Sequence, residues 1–360
     1  MSKQHQHGGD VFALARTLGT APERLLDFSA SINPLGMAPG VREALHACLD
    51  RLVHYPDKGA AELRERLAAY HGVAPEEIAV ASGSTELIHL LPRAVPGRRG
   101  LIVAPAFAEY AEALTRMGWD IDYFTLEAAN GFRLSLDALE GQLAEGYDLL
   151  FICNPANPTG ALIEKARMAQ VIELCQRAST FLVLDEAFID FCEEESAKDL
   201  MVTCQRGVLL RSMTKFFAIP GLRLGYAIGN RVVIASLASV QDPWSVNTAA
   251  QAAGLASLAD PAYIEETRRY VVEERKLLAA RLDALGWLSS SPASANYLLV
   301  EIRSGMRADE LRTQLLPHGI VIRDCSNFKG LDHRFFRVAV RLREENERLV
   351  ELLARLGERG

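Results

Sequence analysis

Along the first two thirds of the chain, short apolar runs alternate with stretches of helical period, and most of the runs close on a small or polar residue. Residues 78–81, 101–104, 149–153, 181–184 and 208–211 read as strands buried on both faces, because a strand with one wet face would alternate in polarity. Residues 121–126 form a further strand. Between them, 84–91, 108–117, 136–143 and 161–178 carry apolar positions at three- and four-residue intervals and predict helices. Helices also precede this series, at 11–18, 41–52 and 60–71, with His54-Tyr55-Pro56-Asp57 breaking the second from the third. Strands separated by helices predict an α/β fold whose large domain is a mainly parallel sheet flanked by helices, with its site along the carboxyl ends of the strands.

Beyond Tyr226 the pattern changes. A long helical stretch, interrupted at Asp242-Pro243-Trp244-Ser245-Val246-Asn247, runs to about residue 285. Residues 296–302, 320–323 and 335–340 then read as strands, the last two pairing with each other, and 308–316 and 344–356 as helices. This describes a smaller α+β domain over 246–360, after a large domain over 41–245, with residues 1–40 an amino-terminal arm packing on the small domain.

Composition narrows the functional classes. With 360 residues, 49% hydrophobic and 24% charged, the chain can bury a sizeable core. A net charge of −7 disfavours a nucleic-acid partner, although a local basic pocket for a small anion is compatible with it. No run of about 18 apolar residues is present, and the polar start MSKQHQHGGD has no apolar core of a signal peptide, so a cytoplasmic protein with no membrane partner is expected. Six cysteines without metal-ligand spacing read as reduced core thiols, and no metal site is expected.

Candidate chemistry centres on RSMTKFFAIPGLRLGY, residues 211–226. Lys215 can supply a Schiff-base amine, while Ser212, Thr214 and Arg223 suit a phosphate dianion. Ser82-Gly83-Ser84-Thr85-Glu86, between a strand and a helix, is a second anion-binding geometry, or simply a helix cap. Two Asn-Pro pairs within 154–158 specify a rigid turn presenting Asn157, whose amide can donate to a phenolate oxygen. Asp185 ends a buried strand, where a carboxylate needs a cationic or protonated partner. Phe107 or Tyr110 can stack on a flat ring or pack in the core. Arg323, Arg337 and Arg341 suit carboxylate or phosphate, or surface ion pairs. His7 with Gly8 and Gly9, and Asn33 in the turn of DFSASINPLG, are further substrate candidates.

In combination, Asn157-Pro-Thr-Gly, Asp185-Glu-Ala-Phe, Ser212-Met-Thr-Lys215 and Arg223-Leu-Gly-Tyr226 resemble the fold-type I pyridoxal 5'-phosphate-dependent transferases of the aspartate aminotransferase superfamily. The resemblance implies that Lys215 binds the cofactor aldehyde and that Asp185 pairs with its pyridine nitrogen. It places Asn157 on the phenolate oxygen, and Ser84, Thr85, Ser212, Thr214 and Arg223 on the phosphate. It also gives Ala187 one ring face, assigns Arg337 to the substrate carboxylate, and makes Tyr55 reach the neighbouring site of a homodimer. Within the superfamily the nearest subgroup is similar to the histidinol-phosphate aminotransferases. A finer resemblance, carried by HGG (7–9), DFSASINPLG (27–36), DEAFIDF (185–191), PWSVN (243–247), ANYLL (295–299) and IRDCSNF (322–328), is to the threonine-phosphate decarboxylases of cobalamin synthesis. Asp10 stands where that pattern has asparagine, and Phe188 where the aminotransferases of the subgroup usually have tyrosine. The expected reaction is therefore decarboxylation of L-threonine O-3-phosphate. A histidinol-phosphate or related aminotransferase and a non-catalytic cofactor-binding regulator are the competing readings. Which Cα bond breaks depends on substrate pose, which a sequence does not encode.

Overall fold

The structure, a computed structural model, describes residues 8–357. Its first strand, β1 (Leu26–Asp27), belongs to a small sheet completed much later in the chain. The main sheet has seven strands: β2 (Ile78–Ala81), β3 (Arg99–Ala104), β4 (Asp120–Thr125), β5 (Leu149–Cys153), β6 (Phe181–Asp185), β7 (Gly207–Ser212) and β8 (Gly225–Ile228). Their spatial order is β2-β8-β7-β6-β5-β3-β4. All run parallel except β8, which is antiparallel to both of its neighbours.

Strands β5, β6 and β7 are buried at every position, their apolar runs on both faces and the polar Asp185, Arg211 and Ser212 at the carboxyl ends of β6 and β7. Alternate residues feed two cores. Leu150, Ile152, Leu182, Leu184 and Leu209 pack on one face, and Leu149, Phe151, Val183, Val208 and Leu210 on the other. All six cysteines are buried and unpaired. Strand β8 was not expected. It has four residues and starts on glycine, so neither length nor alternation marks it, and its pairing between β7 and β2 creates it. The helix expected over 161–178 begins only at Lys165, because the Asn154 side chain clamps the backbone of Ile163 in both directions, at 2.9 and 2.7 Å.

The carboxyl-terminal strands are β9 (Leu288–Ser290), β10 (Tyr297–Ile302), β11 (Ile320–Val321), β12 (Arg323–Asp324) and β13 (Phe335–Ala339). Four of them form an antiparallel sheet in the order β12-β13-β10-β9. The single strand expected over 320–323 is divided between sheets. Arg323–Asp324 pairs with β13, whereas Ile320–Val321 pairs in parallel with β1. Phe28 continues that link, its N–H donating to Val321 O and its carbonyl accepting from Ala339 N, both at 2.8 Å. Phe28 shares a third core with Leu298, Val300, Ile320, Phe336 and Leu349. Helix Thr248–Leu258 packs instead on the first core, through Ala250 and Ala253 beside Val41, Leu63 and Leu67. Among the described residues no helix is long and apolar enough to cross a membrane.

Candidate active site

Three neighbouring parallel strands deliver the central groups. Strand β6 ends on Asp185, whose Oδ2 accepts from the Tyr110 hydroxyl at 2.6 Å and whose Oδ1 accepts from Ala187 N at 3.0 Å. Burial raises the carboxyl above its ordinary range, opposed by the Tyr110 hydrogen bond and by the charge of Lys215. Lys215 follows β7 in a single helical turn, with its Nζ 3.1 Å from Ser212 Oγ and 5.9 Å from the Phe188 ring centroid. Burial pushes its ammonium down to about 8, against the pull of Asp185 and with help from Arg223. An amine so placed is nucleophilic near neutral pH.

The polar residues around Lys215 form a cup. Ser212 Oγ and Thr214 Oγ1 lie 2.8 Å apart. Arg223, at φ 59°, brings its guanidinium against Gly83, where an added Cβ would lie 2.7 Å from Nη2. Gly225 of β8 is equally constrained, since a Cβ there would fall 2.4 Å from Ser84 N, at the first turn of helix Ser84–Ala94. Two glycines thus let a guanidinium, two hydroxyls and a helix amino terminus converge. That donor set suits a phosphate dianion. A side chain at Gly83 would have to displace the Arg223 guanidinium from the cup.

Lys215 opens into a cavity of about 430 Å³, which five cations line: Lys215, Arg223, Arg323, Lys329 and Arg337. Among the described residues no carboxylate lines it, although the whole chain carries −7. Arg323 and Arg337 are direct cross-strand partners on β12 and β13, an arrangement that is unfavourable unless an anion lies between them. Arg337 is almost fully buried and reaches across to the large sheet. Its Nη1 donates to Asn157 Oδ1, its Nη2 to Ser29 O at 2.7 Å, and its guanidinium stands 4.9 Å from the Tyr297 ring centroid. Its Nε is buried without a partner among the described residues. Tyr297 in turn donates to Ala156 O at 2.9 Å, steadying the turn before Asn157.

Asn157, Phe107, Thr214, Lys215 and Arg223 line the cavity together with Gly8, Arg323 and Arg337. Ser84, Thr85, Asp185, Ala187 and Ser212 are not among the cavity's lining residues, though Ser212 Oγ lies 3.1 Å from Lys215 Nζ. Tyr110 does not offer a stacking face. It is fully buried, with its ring parallel to Phe151 at 4.7 Å and its hydroxyl committed to Asp185. Asn33 is turned away from the cavity and fastens the early turn to the Lys215 segment, donating to Phe216 O and Tyr263 Oη at 2.8 Å. Arg341 is also elsewhere, paired with Glu345 at 2.9 Å and with Asp27 O at 3.1 Å. Tyr55 is 80% exposed and leans on Trp244, and it is not among the residues lining the cavity of its own chain. Asp10 caps helix Val11–Leu18 and does not line the cavity. His7 lies outside the described residues. Sequence reasoning missed Lys329 entirely, for an exposed lysine in a loop carries no local signal, and it missed the service of Tyr110 to Asp185.

Behind Asp185 lies a buried ion cluster. Arg211 donates to Glu186 at 3.2 Å, to Asp190 at 3.0 Å and to Glu193, and Lys198 also pairs with Glu193, at 2.6 Å. Since Glu186 follows Asp185 and Arg211 precedes Ser212, the cluster ties the ends of β6 and β7 together.

Residues 23–353 match the family model for aminotransferase class I and II. The chain is 40% identical to the threonine-phosphate decarboxylase of Salmonella typhimurium, over 96% of this chain and 95% of that protein. Among solved structures, the histidinol-phosphate aminotransferase from Clostridium acetobutylicum superposes with a TM-score of 0.88 at 29% identity, covering 93% of this chain and all of that one. The L-threonine-O-3-phosphate decarboxylase from Porphyromonas gingivalis superposes at 0.81 and 26% identity, covering 92% and 99%.

Proposed function

The chain belongs to the class I and II aminotransferase family, and from that premise we propose that it is a pyridoxal 5'-phosphate-dependent lyase. It converts L-threonine O-3-phosphate into (R)-1-amino-2-propanol O-2-phosphate and CO2, for the aminopropanol side chain of cobalamin. The observation that carries the substrate class is the cavity itself, where cations face one another and no carboxylate stands among the described lining residues. Such a site attracts a small molecule bearing both carboxylate and phosphate. The 40% identity to a threonine-phosphate decarboxylase supports the reaction type.

The donor set described above fits the cofactor. Ser212, Thr214, Arg223 and the first turn at Ser84 and Thr85 would hold its phosphate, Asn157 its phenolate oxygen, Asp185 its pyridine nitrogen, and Phe107 and Ala187 its two ring faces. When bound there, it supplies a sink for the electron pair left by a broken Cα bond. The protein decides which bond that is. Arg337, anchored to Asn157 and Ser29, and Arg323, anchored to Asn327 at 3.0 Å, hold the substrate's anionic groups from one side. Fixing both groups sets the torsion at Cα, and the bond held perpendicular to the ring breaks fastest. When the C–COO⁻ bond breaks, its electron pair stays on the Cα side, CO2 departs, and the Lys215 ammonium, re-protonated from solvent, gives a proton to Cα. Phe188 walls the cavity without offering a hydroxyl.

A homodimer accompanies this reading. Val53 and Tyr55, each 80% exposed, and Trp244 form an apolar surface suited to a second copy, whose cavity Tyr55 would complete. A fully active monomer in sedimentation would refute that part.

Product analysis tests the reaction. Purified holoprotein with L-threonine O-3-phosphate is expected to release CO2 and the phosphorylated amino alcohol in equal amounts, independently of 2-oxoglutarate. The similarity to the Clostridium acetobutylicum structure favours one competing outcome. Turnover of histidinol phosphate that requires 2-oxoglutarate and yields no CO2 would overturn the decarboxylase assignment.

A further inference from the structure

The segment between β12 and β13 leaves the four-stranded sheet and crosses to the outer edge of the main sheet. Gly330, at φ +87°, packs there so closely that a Cβ would lie 2.7 Å from Thr125 Cγ2 of β4. The preceding residue, Lys329, is thereby carried to the cavity wall, with its Nζ 5.3 Å from the ring centroid of Tyr123, also on β4. Phe328 supports Arg323 in the same segment, with its ring 5.0 Å from the guanidinium carbon. One short crossing thus fixes two cations at the mouth of one cavity.

Charge balance shows what the second cation is for. A phosphate monoester carries close to two negative charges at neutral pH and a carboxylate adds one, so the substrate brings about three. Of the five cavity cations, Lys215 is committed to the cofactor aldehyde and Arg223 to the cofactor phosphate. Arg337 directs one N–H of each terminal nitrogen to the neutral acceptors of Asn157 and Ser29, and its buried Nε has no partner among the described residues, so its charge is left for one anionic group. Arg323 likewise directs one N–H of each terminal nitrogen to Asp324 O at 2.6 Å and to Asn327, and its charge is left for a second. Lys329 makes no hydrogen bond or ion pair among the described residues, so all three of its N–H donors are free. Resting on the reading of the substrate as a phosphorylated amino acid, we propose that Lys329 is a specificity-determining ligand of the substrate phosphate, poised across the cavity mouth by the Tyr123 ring. It supplies the third positive charge that a substrate bearing both phosphate and carboxylate requires, and that a substrate lacking either does not.

The test uses holoenzyme carrying Lys329→Met, Lys329→Arg, Tyr123→Leu or Tyr123→Phe. Spectral titration with L-threonine O-3-phosphate and with unphosphorylated L-threonine gives dissociation constants, and CO2 release gives KM and kcat. Lys329→Met is expected to weaken threonine phosphate binding roughly tenfold, as for a charge-assisted hydrogen bond at a partly screened site. L-Threonine binding should stay within about twofold, because the lost partner is the phosphate. Lys329→Arg should recover most of the loss, Tyr123→Leu should reproduce part of it, and Tyr123→Phe, which keeps the ring, should not. The cofactor absorbance band serves as the check that each variant is intact. Equal affinity of wild type and Lys329→Met for threonine phosphate overturns the proposal, as does an equal loss for L-threonine. If wild type binds threonine phosphate but releases no CO2, the reaction assignment fails, while the affinity ratio still decides the role of Lys329.

Discussion

Tyr110→Phe isolates one buried hydroxyl on which the site depends. The ring is expected to remain where it is, because its contact is a parallel stack on Phe151 at 4.7 Å and phenylalanine preserves it. The 2.6 Å hydrogen bond to Asp185 Oδ2 disappears, leaving that carboxylate, among the described residues, the bond from Ala187 N. A hydrogen bond to a charged group is worth about 1.5–3 kcal/mol, more in a buried setting than at the surface. Tyr110 donates to the ionised form of Asp185, so its removal adds to the upward push that burial already exerts on that carboxyl. A protonated Asp185 no longer pairs with a cationic ring nitrogen. We therefore expect kcat/KM to fall roughly 10- to 100-fold, with the acid limb of its pH profile displaced to higher pH, since each 1.4 kcal/mol is about a factor of ten. The assay is CO2 release across pH with cofactor saturation confirmed by absorbance. A uniform loss of activity with an unmoved acid limb would refute the reasoning and reduce Tyr110 to core packing.

Gly83→Ala places a Cβ 2.7 Å from Arg223 Nη2 at a backbone φ of +81°, so weaker cofactor retention on dialysis is expected, with an added cost of about 1–3 kcal/mol in stability; unchanged retention would show that the cup does not use Arg223. Lys215 must be unprotonated to capture the aldehyde, and its ammonium is pushed down to about 8, so reconstitution of cofactor-free protein should quicken with pH and level off above that value, and a flat profile would contradict it. Glu186 is raised by burial to about 7, so between its ordinary value and 7 the folded state holds a proton that the unfolded state has released. That group's contribution to stability accordingly declines as pH rises through the window, and Glu186→Gln should flatten the corresponding slope of Tm against pH.

Much of the scaffold was legible because burial and backbone pairing leave local traces. Strands β2 and β5 and helices Val11–Leu18 and Leu136–Leu143 fall where apolar runs and helical spacing put them. The departures occur where a long-range partner decides. Strand β8 exists only between β7 and β2, and residues 320–323 divide between two sheets because β1 supplies a second partner. The start of helix Lys165–Arg177 is delayed by a clamp from Asn154.

The chain's sequence alone determined the cofactor chemistry to be expected, because Lys215, Asp185, Asn157 and Arg223 sit in short motifs at strand ends, and local spacing specifies which residues follow which strand. Tertiary structure alone decided which charged and polar side chains share a cavity. It turned Asn33 and Arg341 into fasteners, set Arg323 opposite Arg337, and brought Lys329 to the mouth. It also bound Tyr110 to Asp185 across 75 residues of sequence. The physical reason is register: a strand's apolar run records that it is buried, but a one-residue shift in pairing reverses the face each side chain presents, and no local pattern records that choice.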